Sequence, residues 1–317
     1  MNVYLSFDVE VWCNGWSQLD ERFPAAFERY VYGRSSRGEY ALPKTLEILQ
    51  RNGLRGVFFV EPLFAARFGQ SYLARIVRMI EAAGQDVQLH LHPEWTDEIR
   101  PPILDDVSVK RQHLSFYTPD EQTALIRFGK QLLETETGRP VSAFRAGSFA
   151  ANAGTYGALR RNGITVDSSI NEAWSGSAAD IDAGQRCALP GLIDGVVSYP
   201  LTVFRDGFGR LRPAQVGACS FAEMRAALSG AADRGREHFV IVSHNFEMLR
   251  PGSSEPDNIV VRRFETLCAW LSAQRDRFRV GSFPLSTGTA GADRPVRPSA
   301  GPWATGWRFA EQALRRL

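Results

Sequence analysis

The sequence lacks features that would indicate several classes of protein. It has no excess of one charge, since 37 basic and 35 acidic residues give a formal net charge of +2 over 317 residues. A protein that binds nucleic acid through its phosphates usually shows a basic excess, so no nucleic-acid partner is predicted. No stretch reaches the ~18 uninterrupted apolar residues of a transmembrane helix, so no membrane span is predicted.

Cysteine is scarce and scattered. No CxxC pair and no zinc-ribbon spacing occurs, so neither a disulfide framework nor a structural zinc site is predicted. The four cysteines are Cys13, Cys187, Cys219 and Cys268. The first residues contain no basic segment, no signal-peptide apolar core and no small-residue cleavage site, so we expect a cytoplasmic location.

Short apolar, β-rich runs alternate with helical segments. Eight strands are predicted, at residues 3–7, 56–60, 87–92, 142–145, 164–167, 196–199, 239–243 and 278–280. Capping boxes predict helix starts at Thr118 and Ser220. Helices are predicted to end at glycines that can close them in the left-handed conformation, namely Gly53, Gly84, Gly138, Gly163 and Gly235. This order predicts a wound α/β fold, and the chain length favours a barrel of seven or eight parallel strands over an open sheet.

Three segments interrupt the alternation. Residues 99–116 and 168–196 are long, polar and irregular, and are predicted to form loops over one face of the barrel. From about residue 286 the chain is rich in Gly, Pro, Ala and Thr, and it ends in an arginine-bearing segment. We therefore predict a barrel over residues 1–285 and a flexible tail over 286–317. The tail ends in a short basic amphipathic helix that is solvated or makes weak peripheral contact with a membrane.

Polar side chains follow the predicted strands at their carboxyl ends. In a parallel barrel these ends open on one face, which carries the active site in essentially every enzyme of this architecture. We therefore predict one active site built from these side chains. They are Asp8 and Glu10 at the first strand, His90 and His92 at the third, Arg145 at the fourth, Asp167 at the fifth and His244 after the seventh.

Two pairs among these residues, His90 with His92 and Asp8 with Glu10, predict a metal site. Residues two apart in a strand point the same way, so His90 and His92 can face one point, as can Asp8 and Glu10. Two imidazoles and one carboxylate with an open fourth position are typical of a catalytic zinc site. Zn²⁺ or another divalent transition metal is therefore predicted, with Glu94 beside the histidines as a further candidate ligand.

Four segments, taken in order, resemble the motifs of the polysaccharide deacetylases with the NodB-homology fold, carbohydrate esterase family 4. Residues 6–10 read Ser-Phe-Asp-Val-Glu where the family has Thr-Phe-Asp-Asp-Gly, and residues 88–95 hold the two histidines. Residues 144–148 read Phe-Arg-Ala-Gly-Ser where the family has Phe-Arg-Pro-Pro-Tyr, and residues 240–244 form an apolar strand ending in histidine. The resemblance implies a distorted (β/α) barrel that removes acetyl groups from N-acetylated sugars with the help of a metal.

Two positions depart from the family pattern. Val9 stands where the family has a second, metal-binding Asp, and Glu10 is the expected substitute. The second histidine is His92, whereas the family's spacing would place it at position 94, which is Glu. The expected ligands are therefore Glu10, His90 and His92, or a set that includes Glu94. Alternatively, the roles are exchanged, with Asp8 on the metal and Glu10 as the base.

The resemblance also implies roles in catalysis. Asp8 would take a proton from water as general base, and Arg145 would hold Asp8 in place and keep it ionised. The leaving amine needs an acid, for which His244 is placed, with Asp167 orienting it and raising its pKa. Gly147 would let the backbone approach the substrate closely.

Other functions are compatible with the same residues. One is a different C–N amide hydrolase on the same barrel, with a ureido or cyclic amide substrate. Another is a catalytically inactive glycan-binding barrel, and a third is a partner protein docked to a membrane through the tail. For the main hypothesis the expected partner is an N-acetylated carbohydrate, such as a cytoplasmic, lipid-linked precursor.

Overall fold

The computed structural model describes residues 1–174, 189–284 and 297–315. The chain divides into two compact units. The first unit consists of Met1–Val57, Thr202–Ser282 and Asp293–Leu317. The second unit consists of Phe58–Leu201 and Phe283–Ala292.

Strands and helices alternate through both units. The strands are β1 (Asn2–Val9), β2 (Arg34–Ser35), β3 (Gly38–Glu39), β4 (Val57–Val60), β5 (Asp86–Leu91), β6 (Ala143–Ala146), β7 (Val166–Asp167), β8 (Gly191–Ile193), β9 (Val196–Ser198), β10 (Val203–Arg205), β11 (Leu211–Pro213), β12 (His238–His244) and β13 (Arg279–Val280). The helices are α1 (Leu19–Phe27), α2 (Leu42–Arg51), α3 (Ala65–Phe68), α4 (Gln70–Ala82), α5 (Pro119–Thr137), α6 (Ala153–Arg161), α7 (Phe221–Asp233), α8 (Asn258–Ala273) and α9 (Pro302–Leu314).

In the first unit, β1 is the central strand. It pairs in parallel with β12 and with β13. All of its residues from Val3 to Val9 are buried, as expected for a parallel strand that is covered on both faces. The register sets Asp8 opposite His244, so the carboxyl ends of β1 and β12 coincide.

In the second unit, the strand order is β4-β5-β6-β7-β9-β8. The strands β5, β6, β7 and β9 pair in parallel, and the short β8 runs antiparallel to β9. The register sets His90 opposite Arg145. Helices α4, α5 and α6 pack along these strands.

The predicted fold class, a distorted (β/α) barrel of mostly parallel strands, is confirmed. All eight predicted strands are present, and none of their ends is displaced by more than two residues. The sequence did not predict β2, β3, β8, β10 and β11, because strands of two or three residues are too short to show an alternating pattern. The capping boxes at Thr118 and Ser220 are present.

The five predicted helix-closing glycines all adopt the left-handed conformation, with φ between 59° and 77°. A third capping box, at Asn152 with Thr155, was not predicted because threonine occupies the position where the pattern expects Glu. Cys13, Cys219 and Cys268 are free thiols, as expected. Cys187 lies outside the described residues.

The C-terminal helix α9 packs on α7. The buried Arg308 donates from Nε to Oε1 of Glu223 (3.0 Å) and from Nη2 to Oδ2 of Asp206 (3.2 Å). Arg315 pairs with Asp257 at 2.6 Å. The described part of the predicted flexible tail is therefore a packed helix, because acidic residues of the same unit neutralise its arginines. The predicted boundary at residues 285 and 286 lies outside the described residues.

The two predicted loops differ in how much of them the structure describes. Residues 99–116 are irregular up to a short 3₁₀ turn at Leu114–Phe116, as expected. Part of the predicted loop 168–196, residues 175–188, is outside the described range, and the rest contains β8. Among the described helices, none has both the length and the apolar character needed to cross a membrane.

Candidate active site

The first unit brings a cluster of ionisable side chains to the carboxyl ends of β1 and β12. We call Asp8, Glu10, His244 and Glu247 the Asp8 cluster. Asn245 holds its backbone, since its amide N–H donates to the carbonyl of Asp8 at 3.1 Å. Its side chain accepts from the N–H of Glu10 and donates to the carbonyl of Glu10, both at 3.1 Å. Glu10 is therefore fixed although it lies just beyond the last residue of β1.

The side chains of this cluster lie close together, with Asp8 and Glu10 buried and His244 partly exposed. One oxygen of Asp8, one oxygen of Glu10 and one ring nitrogen of His244 lie within 4.8 Å of one another. Nε2 of His244 is 4.0 Å from Oδ2 of Asp8. Trp12 donates from Nε1 to Oε2 of Glu10 at 2.6 Å. Asp8 is 2% exposed and Glu10 is 7% exposed, so their charges act in a medium of low dielectric constant.

Glu247 is the residue that the sequence analysis missed. Its Oε1 lies 2.8 Å from Nδ1 of His244. Its carboxylate also accepts from Gln215 (2.6 Å), from the N–H of Gly217 (2.6 Å) and from Ser243 (3.0 Å). The signal for it in the sequence was a carboxylate three residues after a strand-end histidine.

Glu247 and its neighbours determine the protonation of His244. Burial lowers the pKa of His244, but the hydrogen bond to Glu247 and the negative charges of Glu10, Glu247 and Asp8 outweigh it. The net effect raises the pKa from 6.5 to about 9. His244 is therefore a cation at neutral pH, which is the form that can donate a proton.

The partner of His244 Nδ1 was predicted to be Asp167, and Glu247 occupies that position instead. The carboxylate of Asp167 accepts from Tyr156 (2.9 Å), from the N–H of Ser169 (3.1 Å) and from Ser198 (3.3 Å). Burial raises the pKa of Asp167, and these hydrogen bonds oppose the rise. Asp167 thus connects β7 to α6 and β9 within the second unit.

The second unit holds two buried imidazoles near the end of β5. We call His90, His92 and Glu94 the His90 cluster. Nδ1 of His90 lies 2.8 Å from the carbonyl oxygen of Arg145, and Nδ1 of His92 lies 3.2 Å from Oε2 of Glu94. Because these carbonyl and carboxylate oxygens accept, each Nδ1 is placed to donate to them, and Nε2 is the ring atom left for a metal.

The geometry of the His90 cluster refines two predictions. The two rings are edge to face with centroids 4.8 Å apart. Glu94, one of the candidate ligands, contacts His92 as the residue that orients its ring. Gly147 is needed for a close approach, but to His92: a Cβ at position 147 would lie 2.7 Å from Cε1 and Nδ1 of the His92 ring.

Arg145 is fully buried, at 0% exposure. It donates from Nε to the carbonyl of Ser168 (3.0 Å) and from Nη2 to Oγ of Ser168 (2.9 Å). Its guanidinium carbon is 4.4 Å from the centroid of the Phe59 ring. An arginine that is buried to this extent is not a surface residue. Its predicted action on Asp8 stays a prediction.

Glu61 is a second residue that the sequence analysis missed. It directly follows β4 and is 1% exposed. Oε1 accepts from the N–H of Leu63 at 2.8 Å, and Oε2 has no hydrogen-bond partner in the described structure. Burial is the main cause that raises the pKa of Glu61 from 4.5 to about 8; His92 opposes the rise and Glu94 adds to it.

No protein-family model and no curated protein matches the chain. A solved structure from Mycobacterium smegmatis, provisionally named as a polysaccharide deacetylase, is 19% identical over 88% of this chain and 86% of that chain, with a TM-score of 0.58. More distant are a family 4 carbohydrate esterase from Streptomyces lividans in complex with acetate (16% identity, 92% and 98% covered, TM-score 0.45) and a family 4 pseudoenzyme from Bacillus anthracis (15%, 88% and 62%, 0.42). At this identity the likeness to the first structure shows the fold. The chain has the fold of that polysaccharide deacetylase-like structure, as its four motifs predicted.

Proposed function

We propose that this protein is a metal-dependent hydrolase that removes N-acetyl groups from acetylated sugars. The observation that supports this most is the Asp8 cluster, in which a buried carboxylate lies 4.0 Å from a cationic imidazole. Hydrolysis of an acetamide needs a base that accepts a proton from water and an acid that protonates the departing amine. His244 is in the form that can donate a proton at neutral pH, because Glu247 and the nearby carboxylates raise its pKa, and Asp8 is the carboxylate beside it that we propose as the base.

The His90 cluster fits a divalent metal. Both imidazoles are buried, both have Nδ1 engaged, and their orienting partners are the kind that metal-binding histidines require. We propose His90 and His92 as ligands, with Glu94 as the orienting partner of His92. When bound, zinc or a similar ion would polarise the acetamide carbonyl and lower the pKa of water.

The protein's own groups would act in sequence. Asp8 accepts the proton of the attacking water. His244 donates the proton on Nε2 to the amine nitrogen as the C–N bond breaks. Glu247 accepts the hydrogen bond from Nδ1 throughout, so that the ring keeps its orientation in both protonation states.

Val9 supports Glu10 as the second carboxylate. Its side chain is buried, at 1% exposure, and apolar, so position 9 offers no ligand atom to an ion. Glu10, fixed by Asn245, is the next carboxylate in the chain after Asp8. The replacement at position 9 therefore changes the ligand set and leaves the proton-transfer groups in place.

The proposal is tested by the change Asp8→Asn with zinc-loaded protein and N-acetylated oligosaccharides. Acetate release should fall by roughly 10²–10⁴-fold, the usual contribution of a general base. The control is Asp105→Asn, an exposed residue of the loop 99–116, which should leave the rate unchanged. Undiminished acetate release by the Asp8→Asn protein, or full wild-type activity in excess EDTA, would contradict the proposal.

The same assay distinguishes the alternative functions. A panel that includes ureido and cyclic amides identifies a different amide hydrolase if these turn over while acetylated sugars do not. Binding of oligosaccharides without any acetate release identifies an inactive glycan-binding barrel.

A further inference from the structure

A cavity of about 570 Å³ opens next to the Asp8 cluster within the first unit. Glu247 is part of its wall, as is Trp12, whose indole donates to Glu10. Tyr30 and Phe246 form an aromatic side, with their rings edge to face at 5.2 Å. Phe246 also contacts the ring of His244, with centroids 5.3 Å apart. The cavity therefore lies beside the groups that we propose for proton transfer, with Glu247 and Phe246 between it and His244.

The charges around this cavity are mainly positive. Three arginines line it, namely Arg29, Arg250 and Arg315. Arg315 is paired with Asp257 at 2.6 Å and donates to the carbonyl of Gly217 at 3.3 Å. Among the described residues, Arg29 and Arg250 have no acidic partner. The side chain of Arg29 only lies beside the ring of Tyr30, with its guanidinium carbon 5.2 Å from the ring centroid.

The one carboxylate in the wall does not cancel this charge. Glu247 accepts hydrogen bonds from Gln215, Gly217 and Ser243 and is paired with His244. Two guanidinium groups thus face the cavity without a counter-charge. Guanidinium groups bind phosphate through paired hydrogen bonds, and an aromatic wall fits the apolar face of a sugar ring.

A second cavity, of about 520 Å³, extends this surface. It shares Trp12, Arg29 and Tyr30 with the first. Arg29 therefore borders both cavities, at a position where an extended substrate would pass. The combined space has room for a further group beyond one sugar ring.

We propose that this cavity binds a phosphate group of the substrate, so that the preferred substrate is an N-acetylated sugar carrying a phosphate or diphosphate ester. This inference rests on the proposed deacetylase function and names its substrate class. The phosphate can belong to a nucleotide sugar or to a lipid-linked sugar, which present the same anion to Arg29 and Arg250.

The test compares kcat/KM for four acetylated substrates: a neutral chitooligosaccharide, N-acetylglucosamine 1-phosphate, a nucleoside-diphosphate ester and a short polyprenyl-diphosphate ester. The variants are Arg29→Gln, Arg250→Gln and the double variant. The control is Arg127→Gln, which changes an exposed arginine of α5.

We expect the wild type to prefer the phosphorylated substrates. Each single variant should lose roughly tenfold to a hundredfold on them through KM, which corresponds to one charged hydrogen bond. The rate on the neutral substrate should not change.

The outcomes separate this inference from the proposed function. If neutral and phosphorylated sugars are equally good, or if the double variant matches the control, the inference is wrong and the deacetylase proposal stands. The better of the two diphosphate esters identifies the source of the phosphate. If no substrate is hydrolysed, calorimetric titration with inorganic pyrophosphate still tests the phosphate site. Binding by the wild type that is lost in the double variant supports the site. Equal binding by both proteins, or no binding by either, overturns it.

Discussion

His90 and His244 both lie near the carboxyl end of a parallel strand, but their Nδ1 atoms face different acceptors. Nδ1 of His90 is 2.8 Å from a neutral backbone carbonyl, that of Arg145. Nδ1 of His244 is also 2.8 Å from its acceptor, which is the carboxylate of Glu247. A carbonyl fixes the neutral tautomer that can bind a metal, whereas a carboxylate stabilises the imidazolium. The acceptor of Nδ1 does not set the role by itself, because Nδ1 of His92 also faces a carboxylate, that of Glu94. What distinguishes His244 is the combined effect of Glu247, Glu10 and Asp8, which raises its pKa.

The largest effect expected from this comparison is that of His244→Asn. Loss of the general acid should lower kcat by roughly 10²–10⁴-fold. Zinc content, measured by elemental analysis on the purified protein, should stay at the wild-type level, because this histidine is an acid and not a ligand.

The reciprocal variant is the control for that result. His90→Asn should lose zinc and activity together. If His244→Asn also lost its zinc, or if His90→Asn retained both, the division of roles between the two histidines would be wrong.

A smaller effect is expected for Glu94→Gln. The carboxylate lies 3.2 Å from Nδ1 of His92 and has no other role in our proposal. Removal of an orienting partner typically costs 10–100-fold in metal affinity or activity. Zinc affinity, from competition with a chromophoric chelator, should weaken by about that factor, and saturating zinc should restore most of kcat. Failure of zinc to restore kcat would indicate that Glu94 acts directly in catalysis.

The strand-end groups were predictable because two simple regularities place them. Apolar runs mark the buried parallel strands, and parallel strands bring their carboxyl ends to one side, so Asp8 and His90 were found from the sequence alone. Glu61 meets the same criterion, since it directly follows the predicted strand 56–60. Glu247 could not be found in this way, because it lies in the turn after β12 and its contacts come from tertiary packing.

The role of Glu94 and the packing of α9 were likewise not predictable, because both depend on contacts that form only in the folded protein. Spacing placed Glu94 beside the histidines, but only the 3₁₀ turn at Pro93–Glu98 points its carboxylate at Nδ1 of His92. The composition of the C-terminal segment predicted a flexible tail that ends in a basic helix. In the structure, Arg308 is neutralised by Glu223 and Asp206, which lie far from it in the sequence. Acceptors and counter-charges depend on the folded arrangement.

A third prediction concerns the pH dependence that Glu247 gives to His244. Burial lowers the pKa of His244, and the hydrogen bond from its Nδ1 to Glu247, together with the nearby carboxylates, raises it to about 9. The acid is therefore protonated up to about pH 9, and kcat/KM should decline only above that value. In Glu247→Gln the pKa of His244 falls, so the decline should begin at lower pH. Above the lowered pKa, the protonated fraction of His244 falls about tenfold for each further pH unit.

The control for this profile is Glu255→Gln, which changes an exposed glutamate. Its profile should overlay that of the wild type. An unchanged alkaline limb in Glu247→Gln would mean that a group other than His244 controls it.

The smallest effect is on stability, and it comes from Glu61. Burial raises the pKa of this carboxyl from 4.5 to about 8, so the folded state binds its proton more tightly than the unfolded state does. Its contribution to stability is therefore fully present below about pH 4.5 and is lost as the pH rises towards 8. Glu61→Gln keeps the shape of the side chain without the ionisation, so it should be more stable than the wild type at pH 8 and similar at pH 5. Chemical denaturation of the metal-free protein at both pH values measures the difference.

If the variant loses stability equally at both pH values, the neutral carboxyl of Glu61 is a structural hydrogen-bonding group. If it gains at pH 8 and zinc removes that gain, the ionised form of Glu61 is favoured once the His90 cluster holds its ion, because the positive charge acts on the carboxyl in the same direction as His92.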